Sequence, residues 1–171
     1  MSSGFKNEGD EIYLVGFDRA ELGCSDYLKV VHNTVAGDAP DIDIEKEKLL
    51  YKFILEANNL GLIASAHDCS EGGLAVALAE KSIDSADGLA CKVIIGKSSA
   101  ELFGESQSRI VVSIDLSKSN EFNNLASILN IPVKLLGKVQ KDSFEIGNVM
   151  TATVADLRQA YEGALPAIMT K

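Results

Sequence analysis

The sequence has no tryptophan, and aromatic residues make up only 6% of its 171 positions. Because 46% of the residues are nevertheless hydrophobic, the chain has enough apolar side chains for a core, and we expect that core to be largely aliphatic. The length fits one compact domain or two very small ones.

Cysteines and long apolar runs are also scarce. Cys24, Cys69 and Cys91 form no CxxC pair, and their odd number argues against a disulfide framework. We therefore expect reduced thiols in a cytoplasmic protein. No apolar run is long enough to span a bilayer, and the first residues lack the basic and then apolar order of a signal peptide, so we expect no membrane partner.

Positive charge is in short supply. Lysine and arginine number 16 against 25 aspartates and glutamates, which gives a net charge of −9. Proteins that bind nucleic acid usually carry a basic patch, so we expect no nucleic-acid partner. The acidity does not exclude nucleotides, because Mg²⁺ can bridge a phosphate to a carboxylate.

Hydrophobic periodicity predicts a chain of helices and strands. The clearest helix is 41–61, with an apolar face made of Leu49, Leu50, Phe53, Ile54, Ala57 and Leu60. Other helices are predicted at about 25–36, 71–83, 117–130 and 153–169, with a single helical turn at 98–103. Strands are predicted at 10–17, 62–67, 88–95, 109–116, 133–140 and 143–149, the last two as a hairpin or as adjacent strands. This order predicts an α/β (α+β layered) fold in which one mixed sheet is packed with helices.

We predict a single domain over residues 1–171, without an internal repeat or linker. Residues 1–9 are polar and are expected to be a loose N-terminal arm. Residues 10–150 are expected to form the core and residues 151–171 a C-terminal helix, whose start carries a capping pattern at Thr153 and Asp156. In helix 117–130 the residues expected to point inward are Phe122, Leu125, Ile128 and Leu129.

The stretch His67-Asp68-Cys69-Ser70-Glu71-Gly72-Gly73 lies between a predicted strand and a predicted helix. A helix start offers unpaired backbone N–H groups and partial positive charge, and the glycines would let a phosphate approach. Asp68 and Glu71 would repel phosphate unless Mg²⁺ lay between, so the functional interpretation has Asp68 holding Mg²⁺ and the metal holding phosphate. The structural alternative, which composition alone favours, is that Ser70 or Asp68 caps the helix and the glycines allow tight packing.

Two residues of this stretch are of reactive types. His67 could act as a general base, but a histidine at a strand end is more often only hydrogen-bonded. His32 is the only other histidine, so no Cys–His pair can be argued for Cys69, and a buried inert thiol is expected.

A second polar run, Gly104–Arg109, leads directly into a predicted strand. Its serines and Gln107 offer hydrogen-bond donors, and Arg109 could clamp a carboxylate or phosphate. Strand-entry loops of α/β folds commonly bind ligands. The alternative is a serine-rich turn with Arg109 as a solvated charge. A weaker signal lies at 21–29, where Gly23 and Ser25 indicate a turn and a helix cap.

Four segments, taken in order, resemble the synthetase (large) subunit of phosphoribosylformylglycinamidine synthase. They are GDEIYLVG (9–16), ELGCSDYL (21–28), HDCSEGGLAVALAE (67–80) and LFGESQSRIVVS (102–113). The resemblance extends over about residues 9–149 and is to one domain of a doubled subunit: the C-terminal, AIR-synthase-related domain of the second half. It implies an AIR synthase C-terminal-domain-like fold.

The resemblance implies residues that line a cleft and no catalytic residue. Asp68 matches the metal-side aspartate of the sister domain. The positions implied to line substrate or nucleotide are Gly72, Gly73, Glu105, Ser106, Gln107 and Ser108. Cys24 and Glu71 depart from the glycine and aspartate that members often have, so the turn at Cys24 and the reach of Glu71 are expected to differ.

In the family the enzyme is an ATP-dependent C–N ligase of purine biosynthesis that converts formylglycinamide ribonucleotide, ATP and ammonia into the amidine, ADP and phosphate. The implied cofactors are Mg²⁺ and ATP or ADP. The implied partners are the remaining synthetase domains and a glutaminase that supplies ammonia. We expect the chain alone to be catalytically incomplete and able to self-associate. The alternatives are a stand-alone module that binds Mg-nucleotide or phosphate and a purely structural domain.

Overall fold

The computed structural model describes residues 1–19 and 21–169. Within these ranges the chain forms seven strands: β1 Glu11–Gly16, β2 Ser65–Asp68, β3 Leu89–Val93, β4 Arg109–Ile114, β5 Val133–Lys141, β6 Ser143–Ile146 and β7 Met150–Thr153. The α-helices are α1 Asp26–His32, α2 Ile44–Asn59, α3 Gly73–Ile83, α4 Ser99–Phe103, α5 Ser119–Ile128, α6 Val154–Glu162 and α7 Ala164–Met169, with a 3₁₀ turn at Leu116–Lys118 before α5. No helix in the described part of the chain is long and apolar enough to cross a membrane.

The strands form one sheet in the order β2-β4-β1-β5-β3-β6-β7. Neighbours are antiparallel except β3 and β6, which run parallel, so the predicted mixed sheet is confirmed. The last two predicted strands were expected to form a hairpin or to lie side by side, and both alternatives are wrong, because β3 lies between β5 and β6. Their sequences show that both are extended, but local patterning does not specify which strand pairs with which.

Helices cover both faces of the sheet, and β1 shows how the sequence divides between them. Ile12 and Leu14 face a core formed with α3, α4 and α6. Tyr13 and Val15 face a second core formed with α2 and α5. Successive strand residues point to opposite faces, so the unbroken run Ile12–Val15 is the pattern expected of a strand that is buried on both sides. The core is mainly aliphatic, but it also contains several wholly buried phenylalanines: Phe5, Phe53, Phe122 and Phe144.

Helix α2 confirms the helix predicted at 41–61, but its buried face is narrower than predicted. Its inner face consists of Leu50, Phe53, Ile54 and Ala57. Leu49 and Leu60, which were expected to be part of that face, are 43% and 54% exposed. In α5 the same error affects Ile128, which is 74% exposed, whereas Ala126 is buried. A helix of this size buries only the stripe that faces the sheet, so apolar residues at its margins reach solvent.

Both ends of the chain differ from the sequence prediction. Residues 1–9 are not a loose arm, because Phe5 is 1% exposed and its N–H donates to Lys81 O at 3.3 Å. Burial of that one aromatic ring explains why a polar segment is fixed to the domain. At the other end, residues 150–153 form strand β7, and α6 begins only at Val154. The predicted cap of α6 by Thr153 and Asp156 is confirmed, and residues 170–171 of the predicted helix lie outside the described residues.

Candidate functional site

The loop after β2 and the loop before β4 meet at one end of the sheet. Asp68 pairs with Ile110 across the two strands, and Cys69 N–H donates to Arg109 O at 3.0 Å. The two loops border a cavity of about 340 Å³, and the first turns of α2 supply its third wall. The topology therefore brings together the two polar runs that the sequence singled out, although they lie more than thirty residues apart.

Carboxylates dominate the charged lining of this cavity, which we call the acidic cavity. They are Glu47, Asp68, Glu71 and Glu105. The lining also includes the guanidinium of Arg109, but that group is ion-paired with Asp18 at 3.2 Å. The net charge of the lining is negative, so the cavity favours a cation, or an anion that arrives with a metal ion.

The residues predicted to line a cleft divide into two groups. Asp68, Glu105, Gln107 and Ser108 line the acidic cavity. Ser106 lies outside its lining and is wholly buried, and its Oγ has no hydrogen-bond partner among the described residues. Gly72 and Gly73 also lie outside this lining. Binding of substrate by any of these residues stays a prediction.

The start of α3 is not an open phosphate cradle, because the chain's own carboxylate occupies it. Glu105 Oε1 accepts a hydrogen bond from Gly72 N–H at 2.8 Å and another from Asp26 N–H at 2.9 Å. One carboxylate thus binds the backbone at the starts of both α3 and α1, where partial positive charge favours an anion. The family resemblance implied that Glu105 lines substrate or nucleotide. The structure shows instead that Glu105 Oε1 joins α1 and α3.

The structural alternative for this loop also needs correction. Gly72 is the N-cap of α3 and has no side chain with which to cap it, and Ser70 Oγ donates to the Asp68 carboxylate instead of capping the helix. The glycines are used for backbone geometry: Gly72 and Gly73 have φ of 74° and 65°. At Gly73 a Cβ atom would also collide with the carbonyl oxygen of Gly104. Only glycine fits this close approach of the two loops without strain.

Arg109 stabilises the second loop from inside and is not a solvated rim charge. It is 2% exposed, and its guanidinium donates to Ser106 O at 3.1 Å and to Gly104 O. Together with the ion pair to Asp18, these contacts occupy much of its donor capacity. The prediction that Arg109 clamps a ligand therefore fails, because its donors hold the loop itself.

Of the carboxylates that line the acidic cavity, Glu71 is exposed, and so is Asp68. Its side chain is 72% exposed, and a hydrogen bond from Ser70 Oγ is the main reason that the pKa of this carboxyl lies below its ordinary value. The neighbouring His67 has Nδ1 2.7 Å from Asp68 O and Nε2 3.4 Å from Glu80 Oε2. Both ring nitrogens thus have partners within the domain, as expected for a hydrogen-bonded histidine.

The donor set fits a shared metal ion better than a complete metal site. In residues 1–19 and 21–169 no group of three or more His, Cys, Asp or Glu side chains could hold a metal ion. Mg²⁺, however, is commonly bound by one or two carboxylates together with water and substrate phosphates. Asp68 has the exposure and the ionised carboxylate that such a site requires.

The cysteines are all free thiols. Cys69 is notable for its burial and Cys24 for its backbone conformation. Burial raises the pKa of the Cys69 thiol to about 12, so this group is inert, as expected. Cys24 has a φ of 55°, in the left-handed region that favours glycine. The turn is thus kept, and Ser25 caps α1 as predicted by accepting from Leu28 N–H.

Sequence reasoning missed the wall of the cavity formed by α2. Glu47 and Tyr51 line the acidic cavity, and Ser108 Oγ donates to the Glu47 carboxylate. The spacing of Glu47 and Tyr51 on one side of the helix is a possible signal, but only the tertiary fold shows which loop that side faces.

Comparison with known proteins shows the family of this chain. The family described as "AIR synthase related protein, C-terminal domain" matches residues 7–149. Among curated proteins, the phosphoribosylformylglycinamidine synthase subunit PurL of Symbiobacterium thermophilum is 39% identical over 184 residues, which cover 95% of this chain and 24% of that protein. The chain thus spans about a quarter of the length of the curated relatives that it matches.

Solved structures show the same fold at lower sequence identity. T. maritima PurL complexed with ATP matches 92% of this chain and 27% of its own, with a TM-score of 0.68 and 20% identity. T. maritima PurL complexed with FGAR matches 92% of this chain and 29% of its own, with a TM-score of 0.73 and 18% identity. The predicted AIR synthase C-terminal-domain-like fold is therefore confirmed.

Proposed function

The chain belongs to the AIR synthase related proteins, whose C-terminal domain it forms, and on that premise we propose that it works as one domain of a phosphoribosylformylglycinamidine synthase. The parent reaction is the ATP-dependent amidation of formylglycinamide ribonucleotide in purine biosynthesis. In this proposal ATP activates the formamide oxygen as an iminophosphate, and ammonia displaces the phosphate. Curated relatives with 39% identity, which are PurL subunits of that synthase, support the assignment.

The acidic cavity is the observation that links the proposed function to particular residues. It unites the loop after β2 with the loop before β4, and both loops carry the motifs by which the sequence resembles the synthetase. We assign this domain to the second half of the doubled subunit, where its cavity forms one wall of a nucleotide cleft. The solved T. maritima PurL complexed with ATP has the same fold, which supports a nucleotide as the ligand class.

Within that cleft each part of this chain has a limited task. Asp68 would hold Mg²⁺, and the bound ion would neutralise phosphate charge. Gln107 is exposed at the cavity, and its amide could donate to a ligand oxygen. Glu105 and Arg109 keep the two loops in register. The cavity is open and acidic, so the remaining domains must supply the cations and the second wall.

The proposal includes partners and a compartment. The relatives carry the word subunit in their name and are about four times as long as the matched region. We propose that the remaining synthetase domains cover the acidic cavity and that a glutaminase supplies ammonia. We also propose a cytoplasmic location, in keeping with the free thiols. The stand-alone nucleotide module is not favoured, because the relatives are synthase subunits.

A grafting experiment tests the proposed function. In a chimaera, this chain replaces the matching region of the Symbiobacterium thermophilum relative, and ammonia-dependent formation of amidine and ADP is measured. We expect the chimaera to turn over and the purified chain alone to show no turnover, since a cleft shared between domains cannot form from one domain. Turnover by the chain alone, or an inactive chimaera that folds and binds its other domains normally, would refute the proposal.

A further inference from the structure

A second cavity lies on the other side of the Asp18–Arg109 ion pair. It has a volume of about 430 Å³ and is bordered by the end of β1, residues 17–19, the first turn of α2 and the start of β5. Arg109 lines the acidic cavity and Asp18 lines this one, and their side chains are 3.2 Å apart, so the pair forms part of the wall between the two. We call this second space the basic cavity.

The basic cavity gathers cations in a protein that has few of them. Arg19, Lys46 and Lys134 all line it, although the whole chain carries a net charge of −9. Among the described residues of the lining Asp18 is the one carboxylate, and it is paired with the buried guanidinium of Arg109. Adjacent residues of α2 thus contribute opposite charges to the two cavities: Lys46 to the basic one and Glu47 to the acidic one.

The acidic neighbours of these cations hold them only loosely. Arg19 is 4.0 Å from Asp41, whose side chain is 92% exposed. Lys46 is 3.4 Å from Asp43, but that carboxylate already accepts the N–H groups of Glu45 and Lys46 as the cap of α2. Exposed ion pairs of this kind contribute little, so a ligand anion can compete for both cations. Lys134 is exposed at the start of β5.

The floor of the basic cavity is apolar. Leu14, Phe17 and Val133 line it, and Lys46 Nζ lies 5.2 Å from the centre of the Phe17 ring. Cations at the rim and a hydrophobic floor suit a ligand that has an anionic group at one end and an apolar or ring portion at the other. A bare inorganic ion would use only the rim.

We propose that the basic cavity binds a small organic phosphate, with the phosphate against Arg19, Lys46 and Lys134 and the rest of the ligand over Phe17 and Val133. The site is separate from the acidic cavity and does not rest on the function proposed above. Arg19, Lys46 and Lys134 line the same cavity, and cations of this kind make charge-assisted hydrogen bonds to phosphate, which are stronger than neutral ones. The apolar floor gives such a ligand its preference over inorganic phosphate.

The test is a titration of the full chain with AMP, followed through the backbone amide signals in ¹H–¹⁵N NMR spectra. Inorganic phosphate and adenosine serve as probes for the two halves of the ligand. We expect AMP to shift the signals of residues 16–19 and 133–134 and to bind more tightly than either probe. The double variant Lys46→Gln/Lys134→Gln should weaken AMP binding about tenfold, because two charged donors are lost.

The matched control is Lys52→Gln/Lys138→Gln, which removes one lysine from α2 and one from β5 outside the basic cavity. Its affinity for AMP should equal that of the unchanged chain. Three results would overturn the proposal: no shift at residues 16–19 and 133–134 at millimolar AMP, equal weakening by both double variants, or shifts confined to Asp68 and Gln107. The last result would place the phosphate in the acidic cavity instead.

Discussion

Lys81 should make the stability of this domain depend on pH. This residue of α3 is wholly buried, with Nζ donating to Ser3 O at 2.7 Å and to Ser65 Oγ at 2.8 Å and lying 5.0 Å from the centre of the Phe5 ring. No carboxylate forms an ion pair with it in the described part of the chain. Burial disfavours the charged form and lowers the pKa of Lys81 from 10.5 to about 7.

The sign of the effect follows from this lowered pKa. Below pH 7 the amine is protonated in both the folded and the unfolded chain, and the cost of burying its charge is constant. As the pH rises above 7 the folded chain loses the proton first, so the free energy of unfolding increases until the unfolded lysine also titrates near 10.5. One pKa unit corresponds to about 1.4 kcal/mol, so the gain between pH 7 and 8.5 should be about 1.5 kcal/mol.

Urea unfolding at pH 7, 7.5, 8 and 8.5, under reducing conditions and at constant ionic strength, measures this gain. The range stays below the ordinary thiol value of 9, because Cys69 and Cys91 have raised pKa values that act in the opposite direction at higher pH. Lys81→Met should remove the gain, because it removes the buried amine that titrates. Ser65 Oγ keeps its hydrogen bond to Ser113 Oγ in this variant, so it is not left without a partner. The exposed Lys52→Met is the control and should keep the gain. An equal pH slope in Lys81→Met and the unchanged chain would refute the reasoning.

Three further substitutions test the geometry of the candidate site by urea unfolding. Cys24→Gly should raise the free energy of unfolding by about 0.5–1 kcal/mol, because glycine accepts the φ of 55° without strain; a loss of stability would contradict this. Glu105→Ala should lower it by about 2 kcal/mol, because the backbone N–H groups of Asp26 and Gly72 lose a charged acceptor; an unchanged midpoint would show that the carboxylate is not structural. Gly73→Ala should lower the free energy of unfolding by about 2–3 kcal/mol, because the added Cβ atom collides with Gly104 O. The control Gly61→Ala should lower it by less, because the space around its Cβ position is open.

The sequence predicted best those elements whose signal is local. Helix α2 has a repeating apolar face, and the cap of α6 by Thr153 and Asp156 is a short-range motif, so both could be recognised without knowledge of the fold. The mixed sheet followed from the order of the elements. The position of β3 between β5 and β6 could not be predicted, because pairing depends on contacts between segments far apart in the chain.

At the site, residue types were predicted better than their roles. The two polar loops were singled out and do line one cavity, but Glu105 and Arg109 were expected to face a ligand. Their actual partners are backbone groups of Asp26, Gly72, Gly104 and Ser106 and, for Arg109, also the carboxylate of Asp18. A charged residue next to a glycine-rich turn can bind a ligand or hold the turn, and only the tertiary structure decides between these roles.

Self-association of the chain stays a prediction, and the structure indicates a surface through which it could occur. The exposed apolar residues include Val30, Val31 and Val35, in and just after α1, a helix with no buried residue. If the remaining domains cover such a surface, then the isolated chain should associate through it. Light scattering should show a larger particle for the unchanged chain than for Val30→Ser/Val31→Ser; equal sizes would exclude this surface as the cause.

The most direct test of the account is calorimetry with Mg·ADP on the chain alone and on the chimaera that carries it. We predict that the chain alone shows no binding of Mg·ADP that depends on Asp68, because the second wall of the cleft at the acidic cavity is missing. The chimaera should bind Mg·ADP, and Asp68→Asn should weaken that binding about tenfold, whereas the exposed control Glu121→Gln should not. Tight binding by the chain alone that is lost in Asp68→Asn would show a self-sufficient nucleotide module and contradict the account.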